Sequence, residues 1–424
     1  MGTMLTLIVI AFVDMLGVVM IVPLLPFYAT RMGASGTVVG MLVAAFSVAQ
    51  LLSAPTWGRL SDRRGRRPAL LAGLGVSALG YLMFAGADSI VVLLVSRIVQ
   101  GFGGGTVGVI NAAIADASTS AERTKSIGWL TASTSLGAVV GPVIGSVTAQ
   151  EFGRAAPGIV AAALCLANLV YALFALRETK ITTAEHEARR KGSRSSREVL
   201  REVLRHPAAS ASRLIWIYTV GIGAFYGMIA VFPLYLARVF GVTEATIGYF
   251  VMFFGGVGVV VRLGILGRLV TWLGESRLCR VGLVLLTVGL ATFPLPRHLA
   301  PLAVPMLLMP LGTALTFPAV TALLSRVASP AERGVYLGVQ QALGGVARVA
   351  LPVWTGFAID RFGVGSPFWS GALLAAIGLA LAARLPLRLE TSTHRVVSDQ
   401  AMAAAVSASE AALPSAGEPA RSRR

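Results

Sequence analysis

Gly58-Arg59-Leu60-Ser61-Asp62-Arg63-Arg64-Gly65-Arg66-Arg67-Pro68 is a dense basic stretch between two long apolar runs. Five of its residues are arginine, and an arginine at the centre of a bilayer costs roughly 2.5–3.5 kcal/mol on insertion scales. The stretch must therefore stay at a membrane surface while its neighbours cross. The rest of the chain can be placed relative to it.

Of the 424 residues, 55% are hydrophobic and 13% charged, with a mean hydropathy of +0.77. Soluble domains carry about 25% charged residues, so this chain is solvated largely by lipid. A net charge of +17 invites a nucleic-acid reading. Position excludes it, because the basic residues fall in loops between apolar runs, where they set topology, rather than on a folded polar face. Cys165 and Cys279 lie far apart with no CxxC or Cys/His neighbourhood, so neither a disulfide framework nor a metal site is expected. The first run, from Met4, lacks a basic n-region and an A-x-A site and reads as a retained helix rather than a signal peptide.

Runs long enough to cross about 30 Å of hydrocarbon fall at 4–27, 38–57, 68–87, 90–112, 127–149 and 156–176, then at 213–236, 244–267, 278–296, 299–324, 334–358 and 367–387. Without water to satisfy backbone groups they must be helices. Twenty-two Lys/Arg residues lie in the loops on the side of Arg59–Arg67, against five on the other side. That bias predicts an inner-membrane, multi-pass protein with both termini cytoplasmic.

The chain repeats itself. Val22-Pro23-Leu24 recurs as Phe232-Pro233-Leu234, Gly58-Arg59-Leu60 as Gly267-Arg268-Leu269, Gly65 as Gly274, Ala121-Glu122-Arg123 as Ala331-Glu332-Arg333, and Pro142 as Pro352, all at offsets of 209–210. An ordered series at nearly constant offset indicates duplication, and six spans per half give parallel repeats with a cavity between them near the midplane. The expected fold is an all-α integral membrane bundle of twelve helices. It comprises an N-terminal half over 1–176, a cytoplasmic linker over 177–212, a C-terminal half over 213–387 and a disordered tail over 388–424. Within the linker, Val199, Leu200, Val203 and Leu204 share one helical face and Arg197, Arg201 and Arg205 another. This suits a helix lying on the anionic leaflet or a solvated linker helix.

Asp14 is the carboxylate set deep in a span, near the midplane by helical rise. A carboxylate stripped of water favours its neutral form, so Asp14 is the candidate proton carrier; the alternative is a permanent ion pair holding helices together. All four histidines fall in loops or tails and are not candidates. Arg97 lies at a depth where it can meet Asp14 if their helices adjoin, either as a coupling partner or as a structural pair. Arg262, near the end of its run, is expected to snorkel. Arg348 is deeper and suggests a cavity facing Asp14 or an anionic substrate group. Gly137, Gly141 and Gly145 recur at helical spacing and offer a flat packing face, while Pro142 permits a bend that either shapes a gate or is a static kink. Gly103-x-Gly105-x-x-Gly108 matches a dinucleotide fingerprint, but no strand precedes it. Candidates for the substrate cavity are Gln50, Asn111, Gln340 and Gln341 with Phe225, Tyr226, Phe254, Phe317 and Trp354, since amides and aromatics bind varied apolar cations.

Gly58-x-Leu60-x-Asp62-Arg63-x-Gly65-Arg66-Arg67 resembles the loop signature of the major facilitator superfamily. Arg97-x-x-Gln100-Gly101 looks like that family's arginine-bearing motif, and Gly137-x-x-x-Gly141-Pro142-x-x-Gly145 resembles its antiporter motif. Asp14 with Pro23 and Pro26 is similar to the first helix of twelve-span drug:proton antiporters, including tetracycline exporters. The resemblance implies that Asp62 and Asp116 join the arginines Arg63, Arg66 and Arg67 in a network that closes the inner side. Two departures stand out: Thr271 replaces Asp62 in the second copy, and the ninth run has no acid, which puts tetracycline itself in doubt.

The function expected is proton-coupled export of a small, mostly apolar or cationic compound by alternating access. The alternatives are an exporter of a sugar, amino acid or organic anion that uses Arg348, and a non-transporting receptor or scaffold. No enzyme activity is expected. No Walker A lysine motif appears, so the proton gradient replaces any cofactor, and the expected partners are a small-molecule substrate, protons and the lipid bilayer, with a functional monomer.

Overall fold

The computed structural model describes residues 2–118, 122–176, 178, 195–329 and 332–385, and every regular element among them is a helix. The first span is built from α1 (Gly2–Ile21) and α2 (Leu25–Arg31), bent at Val22-Pro23-Leu24, with Pro26 in the first turn of α2, where its missing N–H is no loss. α3 (Gly36–Arg64) and α4 (Arg66–Ala85) follow, then α5 (Ile90–Gly104) and α6 (Val107–Ala117), one span broken at Gly105-Thr106. α7 (Arg123–Phe152) and α8 (Ala156–Ala175) complete the first half. After the linker helix α9 (Ser196–Arg205), the second half contains α10 (Ser210–Phe240) and α11 (Ile247–Val260), a π-helical turn (Val261–Ile265), and α12 (Leu266–Thr292). α13 (Leu299–Val327), α14 (Arg333–Phe362) and α15 (Ser366–Ala383) end the bundle.

Eleven helical stretches are long and apolar enough to cross a membrane, and the longest, Ile247–Thr292, contains a break. Gly274 inside α12 adopts φ 71°, ψ 159°, turning one helix into the eighth and ninth spans. Twelve crossings result. The helix of the eighth span therefore continues past the apolar run's expected end at residue 267 to Gly274, just as α3 continues through Arg59, Arg63 and Arg64 in the first half.

The duplication is written in the backbone. The positive-φ glycines among the described residues are Gly33, Gly65 and Gly153 in the first half and Gly241, Gly274 and Gly363 in the second. They form three pairs at offsets of 208–210. Gly65, at φ 102°, ψ 163°, makes the same helix-to-helix turn as Gly274, a conformation that a Cβ disfavours.

The halves belong to one compact unit ending at Arg384. Across their interface α3 packs along α14, and α7 along α11. Gly40 of α3 lies against the Pro352 carbonyl of α14, and Gly248 of α11 against the Pro142 carbonyl of α7. The two contacts are related by the repeat. Each puts a glycine of one half on a proline carbonyl of the other, at van der Waals range that leaves no room for a side chain.

At the end opposite the basic loops, polar bonds also join the halves. Asp360 accepts hydrogen bonds from the Gly36 and Thr37 backbone N–H groups and from the Thr37 hydroxyl, each at 2.8 Å. A carboxylate of the second half thus caps the N-terminus of a first-half helix. Ser146 does the converse, accepting from the Gly248 N–H near the start of α11 at 2.9 Å. Arg31 and Glu244 add an ion pair at 2.9 Å.

α9 opens with a capping box of Ser195 and Glu198. Its apolar face is divided: Val199 and Val203 are fully buried where α9 packs on α14 and α10, Leu200 is half-buried, and Leu204 is 54% exposed. Tyr336 donates to Glu202 at 3.2 Å and the Trp216 indole to the Val203 carbonyl at 3.4 Å. The helix covers the basic end of the second half because its two valines find apolar partners there. The remainder of the expected linker, 177 and 179–194, and the tail expected to be disordered, 388–424, lie outside the described residues.

Candidate substrate and proton pathway

Asp14 sits half-buried in the middle of the first span and makes no hydrogen bond or ion pair among the described residues. Arg97 is 2% exposed and points elsewhere. Its Nη1 donates to Gln100 Oε1 at 2.5 Å, and its guanidinium stacks over the Phe46 ring at 4.7 Å. Gln100 in turn donates to the Gly80 carbonyl at 3.0 Å. The Asp14–Arg97 contact considered from the sequence is not formed. α5 packs on α3 and α4, whereas α1 packs on α7 and α8, so the arginine finds a partner one turn along its own helix. Tyr81 of α4, 2% exposed, lies within electrostatic range of both Asp14 and Arg97. Its ring rests against Gly17, one turn beyond Asp14.

Sequence reasoning missed Tyr81, and it also missed Asn168. Asn168 of α8 is 3% exposed and donates to the Ile10 carbonyl at 3.1 Å, leaving its own Oδ1 unpaired beside the Asp14 helix. A polar amide in the middle of a span was the available signal. Gly137, Gly141 and Gly145 lie against the backbone of α1 at Phe12, Leu16 and Met20. They bring α7 onto the helix that carries Asp14, while Pro142 turns its carbonyl to the other half.

At the basic end, Arg66 collects the acids. It is 4% exposed; its Nη1 donates to Asp62 at 2.9 Å and to the Ser61 hydroxyl at 2.7 Å, and its Nε to Asp116 at 3.0 Å. Glu178 accepts from the Arg66 backbone N–H at 2.7 Å, and Arg67 donates to the Leu173 carbonyl at 2.5 Å. Arg63 is exposed, and Gly58 has open space where a side chain would stand. In the second half the equivalent places are taken by Glu275, 5% exposed, which pairs with Arg326.

In the second half an aromatic cluster lines α10, α11 and α13. Phe225 packs on Tyr226 at 5.4 Å, on Phe254 at 6.0 Å and on Phe317 at 6.3 Å, and Tyr218 packs on Phe317 at 5.7 Å. From α14, Gln341 bonds the Tyr218 hydroxyl at 3.2 Å, and Arg348 donates to Gln341 at 3.3 Å. The Arg348 guanidinium lies over the Tyr226 ring at 5.2 Å. The other candidates stand apart. Trp354 pairs with Phe357 at 6.0 Å, away from this cluster, because its place on α14 turns it outward. Gln340 is fully buried with both amide atoms unpaired, so helix packing closes it off from any cavity here. Gln50 donates to the Gly104 carbonyl at 3.1 Å, at the break between α5 and α6, and Asn111 bonds back to Val107 of its own helix.

Comparison with known proteins agrees with this architecture. The chain is 30% identical over 389 residues to multidrug resistance protein 1 of Bacillus subtilis, covering 90% of this chain and 96% of the relative. It is 28% identical over 364 residues to the class B tetracycline resistance protein of Escherichia coli, covering 82% and 89%. Among solved structures, the human organic anion transporter MFSD10 superposes with a TM-score of 0.65 at 22% identity, covering 90% of this chain and 99% of that one. The D-xylose-proton symporter does so with 0.71 at 16%, covering 91% and 98%. The family model described as Major Facilitator Superfamily matches residues 7–352 and 265–412. With twelve spans in two repeated halves and the arginine-rich turn at Gly65 folded twice, the chain belongs to the major facilitator superfamily.

Proposed function

We propose that this protein is a proton-coupled exporter of small, mostly apolar or cationic compounds, working by alternating access in the inner membrane with both termini cytoplasmic. The observation that carries the reading is Asp14: a carboxylate in mid-span, half-buried, with neither hydrogen bond nor counter-ion among the described residues. Such a group is functional by default, and a carboxyl without a fixed partner is free to exchange a proton. The names of the relatives, a multidrug resistance protein and a tetracycline resistance protein, support drug compounds as cargo. By the positive-inside rule, the end joined by Asp360, Ser146 and the Arg31–Glu244 pair is external, so this conformation is closed outside. Arg66 with Asp62 and Asp116, and Glu275 with Arg326, each fix one inner turn within its own half. Transport requires the contacts between the halves to alternate. A monomer contains every part, and no cofactor enters the scheme.

The test is flux in liposomes under an imposed pH gradient, with a cationic dye as cargo. Wild type should concentrate the dye against its gradient. Asp14→Asn should lose the uphill component and keep downhill exchange. Uphill transport that survives in Asp14→Asn would remove Asp14 as the proton carrier.

A further inference from the structure

The second half contains a cationic site that the proton pathway does not use. Arg348 stands midway along α14, about 22 Å of helical rise from either end, where a charge is costly unless something answers it. Its Nη2 meets Gln341, its face covers Tyr226, and its Nε is buried without a partner.

Among the described residues no acid pairs with Arg348. The acids of the described second-half spans stand at helix ends, and three have partners there: Glu244 with Arg31, Glu275 with Arg326, and Asp360 with the start of α3. A guanidinium held in mid-span without a counter-charge is stabilised when an anion sits against it. Phe225, Phe254 and Phe317 extend the same surface with stacked and edge-on rings, which suits a flat aromatic body.

We propose that Arg348, with Tyr226 and Gln341, forms an anion-recognising subsite that selects aromatic compounds bearing a carboxylate. The inference deepens the exporter reading and rests on it only for the claim that the bound compound is carried. Substrates then span two halves of opposite character. Their acid group faces Arg348 in the second half.

The test is binding of 2-naphthoate and of its neutral methyl ester to purified full-length protein in lipid nanodiscs, read by naphthalene fluorescence. Wild type should bind the acid more tightly than the ester. Arg348→Gln should weaken the acid about tenfold, the loss expected for one charge-assisted bond, and leave the ester within about twofold. Arg348→Lys should recover part of the preference, and salt should weaken binding of the acid by wild type more than binding of the ester, which reads the same charge should the first variant fold poorly. Equal binding of acid and ester by wild type, or equal weakening of both in the variants, would overturn the proposal. Proton-driven flux of a cationic dye is measured in parallel. Acid-selective binding without any such flux would keep this subsite and retire the exporter reading.

Discussion

Arg66 and Glu275 occupy the same place in the two repeats, with opposite charge. Arg66 follows the turn at Gly65 and pairs with Asp116; Glu275 follows the turn at Gly274 and pairs with Arg326, at offsets of 209 and 210. Duplication preserved the bond and exchanged its ends. The weaker second copy of the arginine-rich signature is therefore a complete pair, reversed in sign.

Reversal predicts a rescue. Glu275→Arg alone sets two cations together, while Glu275→Arg with Arg326→Asp restores the polarity of the first half. Because the Arg326 side chain is 44% exposed, the single change should cost about 1–2 kcal/mol, less than in a fully buried pair. The double variant should recover most of it. Thermal unfolding in detergent, read as a double-mutant cycle, checks this; simple additivity of the two single variants would refute it.

At the outer end, two kinds of link make different predictions. Asp360 caps α3 with three 2.8 Å bonds, whereas the Arg31 side chain of the Arg31–Glu244 pair is 57% exposed. Asp360→Ala should lose about 1 kcal/mol of closure, as cap removal does elsewhere, which is roughly a fivefold shift toward the outward-open state. Glu244→Ala should shift it by less than about 0.5 kcal/mol. Distances between spin labels at introduced cysteines across the outer end measure both, and equal shifts would refute the distinction.

Most of the architecture was legible from hydropathy, charge bias and the repeat, because lipid imposes those patterns residue by residue. Gly65 and Gly274 were readable as matched turns, and their positive φ follows from the bend they make. The limits were contacts between distant helices. Arg97 and Asp14 share a depth but not a neighbour, and depth alone cannot say that α4 places Tyr81 in reach of both. Glu275 and Arg326 carry a charge exchange between the repeats, which residue identity does not reveal. Asp360 caps a helix of the other half, a contact that no local sequence pattern marks.

The paired contacts Gly40–Pro352 and Gly248–Pro142 predict that bulk at either glycine blocks outer closure. Gly40→Leu and Gly248→Leu should each hold the protein open outside and abolish transport while preserving expression. Gly256→Ala, where a Cβ meets nothing within 4 Å, should transport normally. Labelling of an introduced cysteine by an impermeant thiol reagent from outside reads the state; unchanged labelling in both leucine variants would show that the contacts are incidental to closure.

Proton movement and packing around Arg97 are separable. Gln100 supplies the hydrogen-bond acceptor of a buried guanidinium, and losing a bond to a charged group costs about 1.5–3 kcal/mol, so Gln100→Leu should lower thermal stability whatever it does to transport. Tyr81 differs, since its hydroxyl makes no hydrogen bond among the described residues and its ring supplies the packing against Gly17. Tyr81→Phe keeps the ring and should leave stability within about 0.5 kcal/mol. If the hydroxyl relays charge between the Asp14 and Arg97 surroundings, proton-coupled flux should fall several-fold in Tyr81→Phe while dye binding holds. Flux equal to wild type would assign Tyr81 to packing and leave Asp14 to exchange its proton directly with the cavity.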